Sequence, residues 1–306
     1  MITNCVCYVI DDNYLFPTLV SAMQARANTD PDTTSVTILC VAAPSDNTRL
    51  GEVLCKKLGL EFVVVSPSAI DDLHPTYGRL YIDAILNPVY TRILYIDGDT
   101  QVVGSLRPLL NVPIESGKIL AVRDPTGMFG RLSPSWERRI VAEREGSGIS
   151  LPFDDYFNAG IFVCNREECA ELSRKSIELL QSWKTPLKYR DQDAVNIAFE
   201  NRIIAISNKW NFPGFLIGSP MERDVQPVIV HFMSNPRPWV FSGAPWGVKW
   251  QKPYHDFLNQ HPEAAPLAPS MSAVNTLKYH VRQNLFYFTE YRLVGRSRET
   301  APQLVI

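Results

Sequence analysis

Asp97 and Asp99 stand two places apart, with only Gly98 between them. Two carboxylates that close repel each other unless a cation lies between them, and hard oxygen ligands suit Mg²⁺ or Mn²⁺. Gly98 has no side chain to keep the pair from one shared target. The acids follow Ile93 to Ile96, a short β-branched and aromatic run of the kind buried in a parallel sheet. A strand that ends in acids puts them at its carboxyl edge, where open α/β sheets bind ligands. The same residues also suit a plain turn, because Asp and Gly are turn formers.

Alternating elements lead up to that edge. Cys5 to Ile10 reads as a first buried strand that closes on Asp11-Asp12-Asn13-Tyr14, with a helix from Tyr14 to Ala27. A strand over Val36 to Val41, a helix over Thr48 to Leu58 stopped by Gly59, and a strand over Glu61 to Val65 follow. Tyr77 to Leu86 reads as a helix ended by Pro88. This alternation predicts an α/β fold whose mostly parallel central sheet is flanked by helices. Beyond Gly104 the pattern loosens. Ile119 to Val122 reads as a strand ending near Asp124, and polar Pro125 to Ser150 as a mobile excursion beside the site, with a short helix at Trp136 to Arg144. Phe157 to Cys164 is a further strand and Glu167 to Trp183 an amphipathic helix. Asp191 is placed as the N-cap of a helix reaching Phe199, and Ile203 to Ile206 and Val228 to Phe232 are short strands.

The chain has 306 residues, 45% of them apolar, which allows one large α/β domain or two small ones. A net charge of −2 gives no sign of nucleic acid as a partner. Six cysteines without Cys-x-x-Cys spacing read as reduced, buried thiols. The first residues lack a basic, then apolar leader, and no apolar run is long enough to span a bilayer. A cytoplasmic protein is expected.

Taken together, six segments in order resemble the family-eight retaining glycosyltransferases, which include bacterial lipooligosaccharide galactosyltransferases and glycogenin. They are Asp11-Asp-Asn-Tyr14, Thr76-Tyr-Gly-Arg-Leu80, Tyr95-Ile-Asp-Gly-Asp-Thr100, Phe157-Asn-Ala-Gly-Ile-Phe162, Asp191-Gln-Asp193 and His231-Phe-Met-Ser-Asn-Pro-Arg-Pro-Trp239. The likeness spans roughly the first 250 residues and implies a nucleotide-sugar transferase fold of the GT-A kind. Haloacid-dehalogenase-type phosphatases also end a strand in Asp-x-Asp, but they place Thr or Val where this chain has Gln101.

The resemblance assigns roles residue by residue. It puts Asp11 and Asn13 on the uridine of a UDP-sugar donor, with Tyr14 against the base; a plain core-packing role suits Tyr14 equally. Arg79 falls in the donor site, where a guanidinium suits phosphate or sugar oxygens. Asp97, Asp99 and His231 match the ligands of a Mn²⁺ (or Mg²⁺) ion. Asn158 and Ala159 match the strip along the donor sugar, Asp124 an aspartate near its hydroxyls and the acceptor, and Asp191 and Gln192 the sugar's far face. Ser234 and Arg237 stand where the family usually has Gly and Lys around the diphosphate. The implied reaction moves a hexose from a UDP-hexose to an acceptor hydroxyl with retention. The acceptor is expected on a lipopolysaccharide, glycolipid or polysaccharide precursor. A glycogenin-like self-glycosylating protein and a non-catalytic sugar-nucleotide binder are the alternatives. Gln192 and Asp191 are the expected catalytic residues with Asp124, and same-face attack by the acceptor is favoured over a covalent intermediate on Asp191.

Domain boundaries follow from composition: a catalytic domain over 1–260, a Pro-, Ala- and Ser-rich linker over 261–272, and a tail over 273–306. In the tail, Val274, Leu277, Val281, Leu285 and Phe288 recur at helical steps, and Tyr279, Phe286, Tyr287 and Tyr291 add aromatic rings. Lys278, Arg282, Arg292, Arg296 and Arg298 face only Glu290 and Glu299, so the tail is locally basic. Such a helix suits an anionic membrane surface and peripheral attachment to the membrane's inner face. The alternative is an apolar face packed back on the domain or on a second subunit.

Overall fold

Strand β1 (Asn4–Ile10) is apolar on both faces: Val6, Tyr8 and Ile10 enter one buried cluster, and Cys5, Cys7 and Val9 another. That double burial is what a strand needs in a sheet covered by helices on both sides. The computed structural model describes residues 2–132, 134–151, 155–185, 187–293 and 303–306. After a 3-10 turn, α1 (Leu15–Ala27) leads to β2 (Thr34–Val41). Helix α2 (Asp46–Leu58) begins two residues before the expected Thr48, because Ser45 and Thr48 form a reciprocal capping pair there. It ends, as expected, at Gly59, whose φ of 66° lets it close the helix.

Strand β3 (Glu61–Val65) is followed by a 3-10 segment, Pro75–Tyr81, and only one turn of α-helix, α3 (Ile82–Ile85). The expected helix over Tyr77 to Leu86 is thus mostly the tighter form. Gly78 explains its place against the sheet, since a Cβ there would lie 2.5 Å from Val9 Cγ1. Strand β4 (Arg92–Ile96) pairs parallel with β1, and the two acids lie between it and β5 (Thr100–Val102). After α4 (Arg107–Asn111) and β6 (Ile119–Arg123), the polar stretch that was expected to be a mobile excursion is two helices, α5 (Thr126–Leu132) and α6 (Pro134–Gly146). Arg144 of α6 is buried over the Tyr156 ring at 4.1 Å, which anchors this stretch to the domain.

Next come β7 (Phe157–Asn165), α7 (Arg166–Ser182), α8 (Arg190–Ala198) and β8 (Ile203–Ile206). The large sheet has the order β3-β2-β1-β4-β7-β6-β8, parallel except for β7, which runs against β4 and β6. A small second sheet joins β5 to β9 (Phe212–Pro213) and, after α9 (Pro220–Val225), to β10 (Ile229–His231) in the order β5-β10-β9. It rests on its own aromatic cluster of Phe212, Phe232, Phe241, Trp246 and Trp250. Helix α10 (Gly247–Gln260) closes the domain by packing Tyr254 and Phe257 on Phe16 of α1.

The segment expected to be a linker differs in its first half. Pro262–Leu267 is a 3-10 helix with Ala264 and Leu267 buried in the main core. Helix α11 (Ala273–Leu293) approaches the domain through polar and aromatic side chains, with Gln283 Nε2 donating to the Asn235 carbonyl at 3.0 Å and Tyr279 beside Phe241. Four of its apolar residues face outward: Val274, Leu277, Val281 and Leu285 are between 61% and 78% exposed. The alternative of an apolar face packed on the domain therefore fails for these four. Side chains from Phe286 to Arg292 are not described, and Arg296, Arg298 and Glu299 lie outside the described residues. The last residues return to the sheet, where Leu304 bridges Ile206 beyond the β8 edge. All six cysteines are buried and unpaired. No helix among the described residues is long and apolar enough to cross a membrane.

Candidate active site

The turn between β4 and β5 joins the large sheet to the small one, and that junction assembles the acids with a histidine from far along the chain. Strand β10 pairs antiparallel with β5, Thr100 opposite His231, and the Phe232 N–H donates to the Asp99 carbonyl at 2.9 Å. The Asp97 N–H donates to the Gly160 carbonyl of β7 at 2.8 Å. Gly98 has a different reason from the one its sequence position suggests. A Cβ on it would lie 2.2 Å from Thr18 Oγ1 and 3.0 Å from Ile10 Cγ2, so the glycine lets the turn press on α1 and β1. Gly160 is as tightly placed, for its added Cβ would meet His231 Cε1 at 2.4 Å and Asp97 Oδ2 at 2.7 Å.

Asp97, Asp99 and His231 each offer a ligand atom within 4.8 Å of the others. His231 Nε2 lies 3.0 Å from Asp99 Oδ1 and 3.7 Å from Asp97 Oδ2, while its Nδ1 is 3.0 Å from Asn211 Oδ1. With Nδ1–H donating to Asn211, the Nε2 lone pair faces two carboxylates, an arrangement a divalent cation suits. Two oxygen donors and one imidazole fit Mn²⁺ or Mg²⁺, with room left for oxygens of a ligand. The acids are also balanced by arginines: Arg79 Nη2 is 2.9 Å from Asp97 Oδ1, and Arg237 Nη1 is 2.7 Å from Asp99 Oδ2. Burial pushes the Asp99 carboxyl up, but a His231 ring protonated on both nitrogens and the Arg237 guanidinium outweigh it and hold the group below the usual carboxylate range. The Tyr95 hydroxyl donates to Asp97 Oδ1 at 2.5 Å.

Two adjacent cavities open here. One, of about 350 Å³, is lined by Asp11, Tyr14, His74, Thr76, Asp99 and Arg237. The other, of about 260 Å³, is lined by Asn158, Gly160, Lys188, Tyr189, Asp191 and Gln192. They share Thr76, Arg79 and Asp97, so Arg79 stands in the dividing wall. Its Nε is 2.9 Å from Asp191 Oδ2, its Nη1 donates to the Ala159 carbonyl at 2.7 Å, and its guanidinium lies over the Tyr95 ring at 5.0 Å. A solvated surface role for Arg79 is thereby excluded.

The Asp191 cap expected from the sequence is not formed. Helix α8 starts at Arg190, its N-cap Tyr189 makes no side-chain bond, and Asp191 turns to Arg79 instead. Burial pushes the Asp191 carboxyl up despite that arginine. Asp193 does the local work, accepting from the Tyr189 N–H at 2.7 Å and the Tyr156 hydroxyl at 2.5 Å. Gln192 Oε1 accepts from the Ala159 N–H and from Asn158 Nδ2, both at 3.1 Å, and its Nε2 donates to Asp124 Oδ2 at 3.1 Å. Asp124 also receives Asn158 Nδ2 at 3.1 Å and caps Thr126 with its other oxygen.

Most of the expected residues converge. Asn13 is exposed on its turn and lines neither cavity, and half-buried Ser234 also lines neither. Tyr14 touches Trp239 edge-on, 6.1 Å between ring centroids, which is the core-packing role, and it also lines the larger cavity. Sequence reading passed over His74, Thr76, Lys188, Tyr189, Arg190 and Asn211. Thr76 stood inside a quoted segment, but nothing in the residue types marked the others.

An open α/β sheet with paired acids and a histidine at its carboxyl edge, beside a two-part cavity, places these residues where such sheets bind small ligands. The chain belongs to glycosyl transferase family 8, whose family model matches residues 5–243. It is 26% identical to the lipopolysaccharide 1,3-galactosyltransferase of Salmonella typhimurium, over 78% of this chain and 74% of that protein. It is 25% identical to the lipopolysaccharide glucosyltransferase WaaO of Escherichia coli, over 72% of this chain and 64% of that one. A putative glycosyltransferase of Haemophilus influenzae is 30% identical, but over 52% of this chain and 44% of its own. The fold is similar to that of the galactosyltransferase LgtC, solved with donor and acceptor sugar analogues: TM-score 0.66, 21% identity, 86% of this chain and 99% of that one. The expected family and the mostly parallel α/β fold are therefore borne out.

Proposed function

We propose that the chain is a metal-dependent, retaining hexosyltransferase that moves a hexose from a UDP-sugar to an acceptor hydroxyl. The relatives' names favour an acceptor on a lipopolysaccharide, glycolipid or polysaccharide precursor. The observation that carries the proposal is the Asp97, Asp99 and His231 cluster set beside the wall between two cavities. In this reading the larger cavity takes the nucleotide, with Asp11 and Tyr14 at the uridine and Asn13 reaching it from the exposed turn between them, and the smaller takes the sugar, with Asn158, Ala159 and Asp124 along its hydroxyls. A bound Mn²⁺ or Mg²⁺ supplies Lewis-acid stabilisation of the leaving diphosphate. Arg237 exchanges Asp99 for phosphate oxygens, which its forked donors suit. Ser234 sits nearby in the same loop.

Same-face attack fits the far face better than a covalent intermediate. Both lone-pair directions of Gln192 Oε1 already hold donors, and Asp191 is committed to Arg79. A nucleophilic role for Gln192 requires breaking its bonds, and one for Asp191 sets it beside a guanidinium that lowers its nucleophilicity. The acceptor hydroxyl then attacks on the side the diphosphate leaves, and a diphosphate oxygen takes its proton.

The test is UDP release from UDP-glucose, UDP-galactose and UDP-galacturonate with Mn²⁺ and after EDTA. Release from at least one donor, lost in EDTA and restored by Mn²⁺, is expected; no release from any donor rejects the donor class, and release indifferent to EDTA rejects the metal. Intact mass after incubation separates transfer to an acceptor from self-glycosylation. We further propose that the protein is cytoplasmic and that α11 attaches it to an anionic membrane surface. Exposed Lys278 and Arg282 beside the outward Leu277 and Val281 support this reading. Full-length protein should sediment with phosphatidylglycerol vesicles at low salt, and Leu277→Glu with Val281→Glu should abolish that; equal sedimentation of both rejects the attachment.

A further inference from the structure

Asn211 lines neither cavity and is 1% exposed, between the buried rings of Trp210 and Phe212 in sequence. Its carboxamide nevertheless bridges the two halves of the site. Asn211 Nδ2 donates to Asn158 Oδ1 at 2.9 Å, and Asn211 Oδ1 is 3.0 Å from His231 Nδ1.

The direction of every bond in this chain follows from one group that can only donate. The Gly160 N–H donates to Asn158 Oδ1 at 3.0 Å, which fixes that oxygen toward Gly160 and Asn211. Asn211 must then present its NH₂ to Asn158 and its oxygen to His231. A neutral His231 must then carry its one proton on Nδ1, leaving Nε2 as a lone pair aimed at Asp99 and Asp97. The far end agrees independently. Asn158 Nδ2 meets only acceptors, Asp124 Oδ2 and Gln192 Oε1, and the Ala159 N–H separately fixes which atom of Gln192 is its oxygen.

We infer that Asn211 is a positioning residue, which locks His231 in the Nδ1–H tautomer so that Nε2 is always available as a metal ligand. The inference rests on the metal reading of the site. An imidazole free to put its proton on Nε2, or to turn, spends part of its time unable to bind the ion, which lowers affinity without removing a ligand. Asparagine is needed rather than aspartate, because a carboxylate would set a second oxygen 2.9 Å from Asn158 Oδ1.

The experiment compares wild type, Asn211→Leu, Asn211→Asp and Asn211→Ser, with His231→Ala as control. Affinity for Mn²⁺ alone is read by electron paramagnetic resonance. The His231 tautomer is read by ¹⁵N NMR on metal-free protein, at a pH alkaline enough for a neutral ring. Asn211→Leu should weaken Mn²⁺ binding about 10- to 100-fold and bring up the Nε2–H form. Asn211→Asp keeps an acceptor for Nδ1–H, so it should keep the wild-type tautomer and bind Mn²⁺ more tightly than Asn211→Leu does. Should the leucine variant not fold, Asn211→Ser decides, since its hydroxyl donates or accepts and should give mixed tautomers. A pure Nδ1–H spectrum with wild-type affinity in the leucine or serine variant overturns the inference, as does an aspartate variant no better than leucine. Wild-type Mn²⁺ affinity in His231→Ala overturns the metal reading instead, and the metal-free tautomer spectra then still decide what Asn211 orients.

Discussion

The two halves of the site are built by different physics. The half around Asp97, Asp99, His231, Arg79 and Arg237 is held by charge, with ion pairs of 2.7 to 2.9 Å and a carboxyl kept below its usual range. The half around Asn158, Gln192 and Asp124 is held by direction, since each amide is oriented by a backbone N–H of β7. Charged groups can exchange one partner for another of the same sign, which suits a place where an ion and a diphosphate come and go. Amides locked at both ends cannot turn cheaply, which suits a place that must hold one hydroxyl pattern. The difference teaches where substitution should act on binding and where on turnover.

The largest effect should come from the charged half. Asp97→Ala, Asp99→Ala or His231→Ala should each lower transfer on the order of 10³-fold, measured as UDP release with Mn²⁺ present. Chelation should copy them, and full turnover in EDTA would leave the charged half without its proposed purpose. Breaking the directional half should look different. Gln192→Ala should lower kcat roughly 10²-fold and leave UDP affinity near wild type, because Gln192 lines the smaller cavity, which the proposed function gives to the sugar. A large loss of UDP affinity by calorimetry would erase the contrast between the halves.

Gly160 lies where the halves touch, and its variant sharpens the comparison. Gly160→Ala forces a Cβ against His231, Asp97 and Asn158 Oδ1 together. It should cost about 1–3 kcal/mol of stability in urea melts and lower Mn²⁺ affinity and kcat at once. Loss of only one of these would show the halves to be more independent than their shared glycine implies.

The smallest effect belongs to a control outside both halves. Glu171 on α7 is held at about 2, first by its bonds to Arg202 and then by Lys175. A depressed carboxyl stabilises the fold above its unfolded value of about 4.3, and that contribution is lost as pH falls toward the folded value. Wild type should therefore lose stability between those two values, and Glu171→Gln should lack that part of the acid loss while keeping neutral-pH transfer. Identical acid melts for the two proteins would contradict the sign of this argument.

Much was legible before the fold was known because it is local. Alternating apolar strands, a glycine stop at Gly59 and paired acids after Ile96 are fixed by neighbours in sequence, through backbone sterics and burial on both faces. The six ordered segments, matched to a family, were enough to name Gln192, Asp191 and His231 as candidates. What needed the tertiary structure is whatever depends on a partner far along the chain. A Ser45 cap moved the start of α2, and Arg79 drew Asp191 away from the cap that its position suggests. Gly98 proved to be shaped by Thr18, and the outward apolar face of α11 by which of its side chains met the domain. Asn211 carries no signal in sequence because its worth lies in the bonds at its two ends. Asn158 and His231 lie 53 and 20 residues away and meet only when the small sheet docks on the large one.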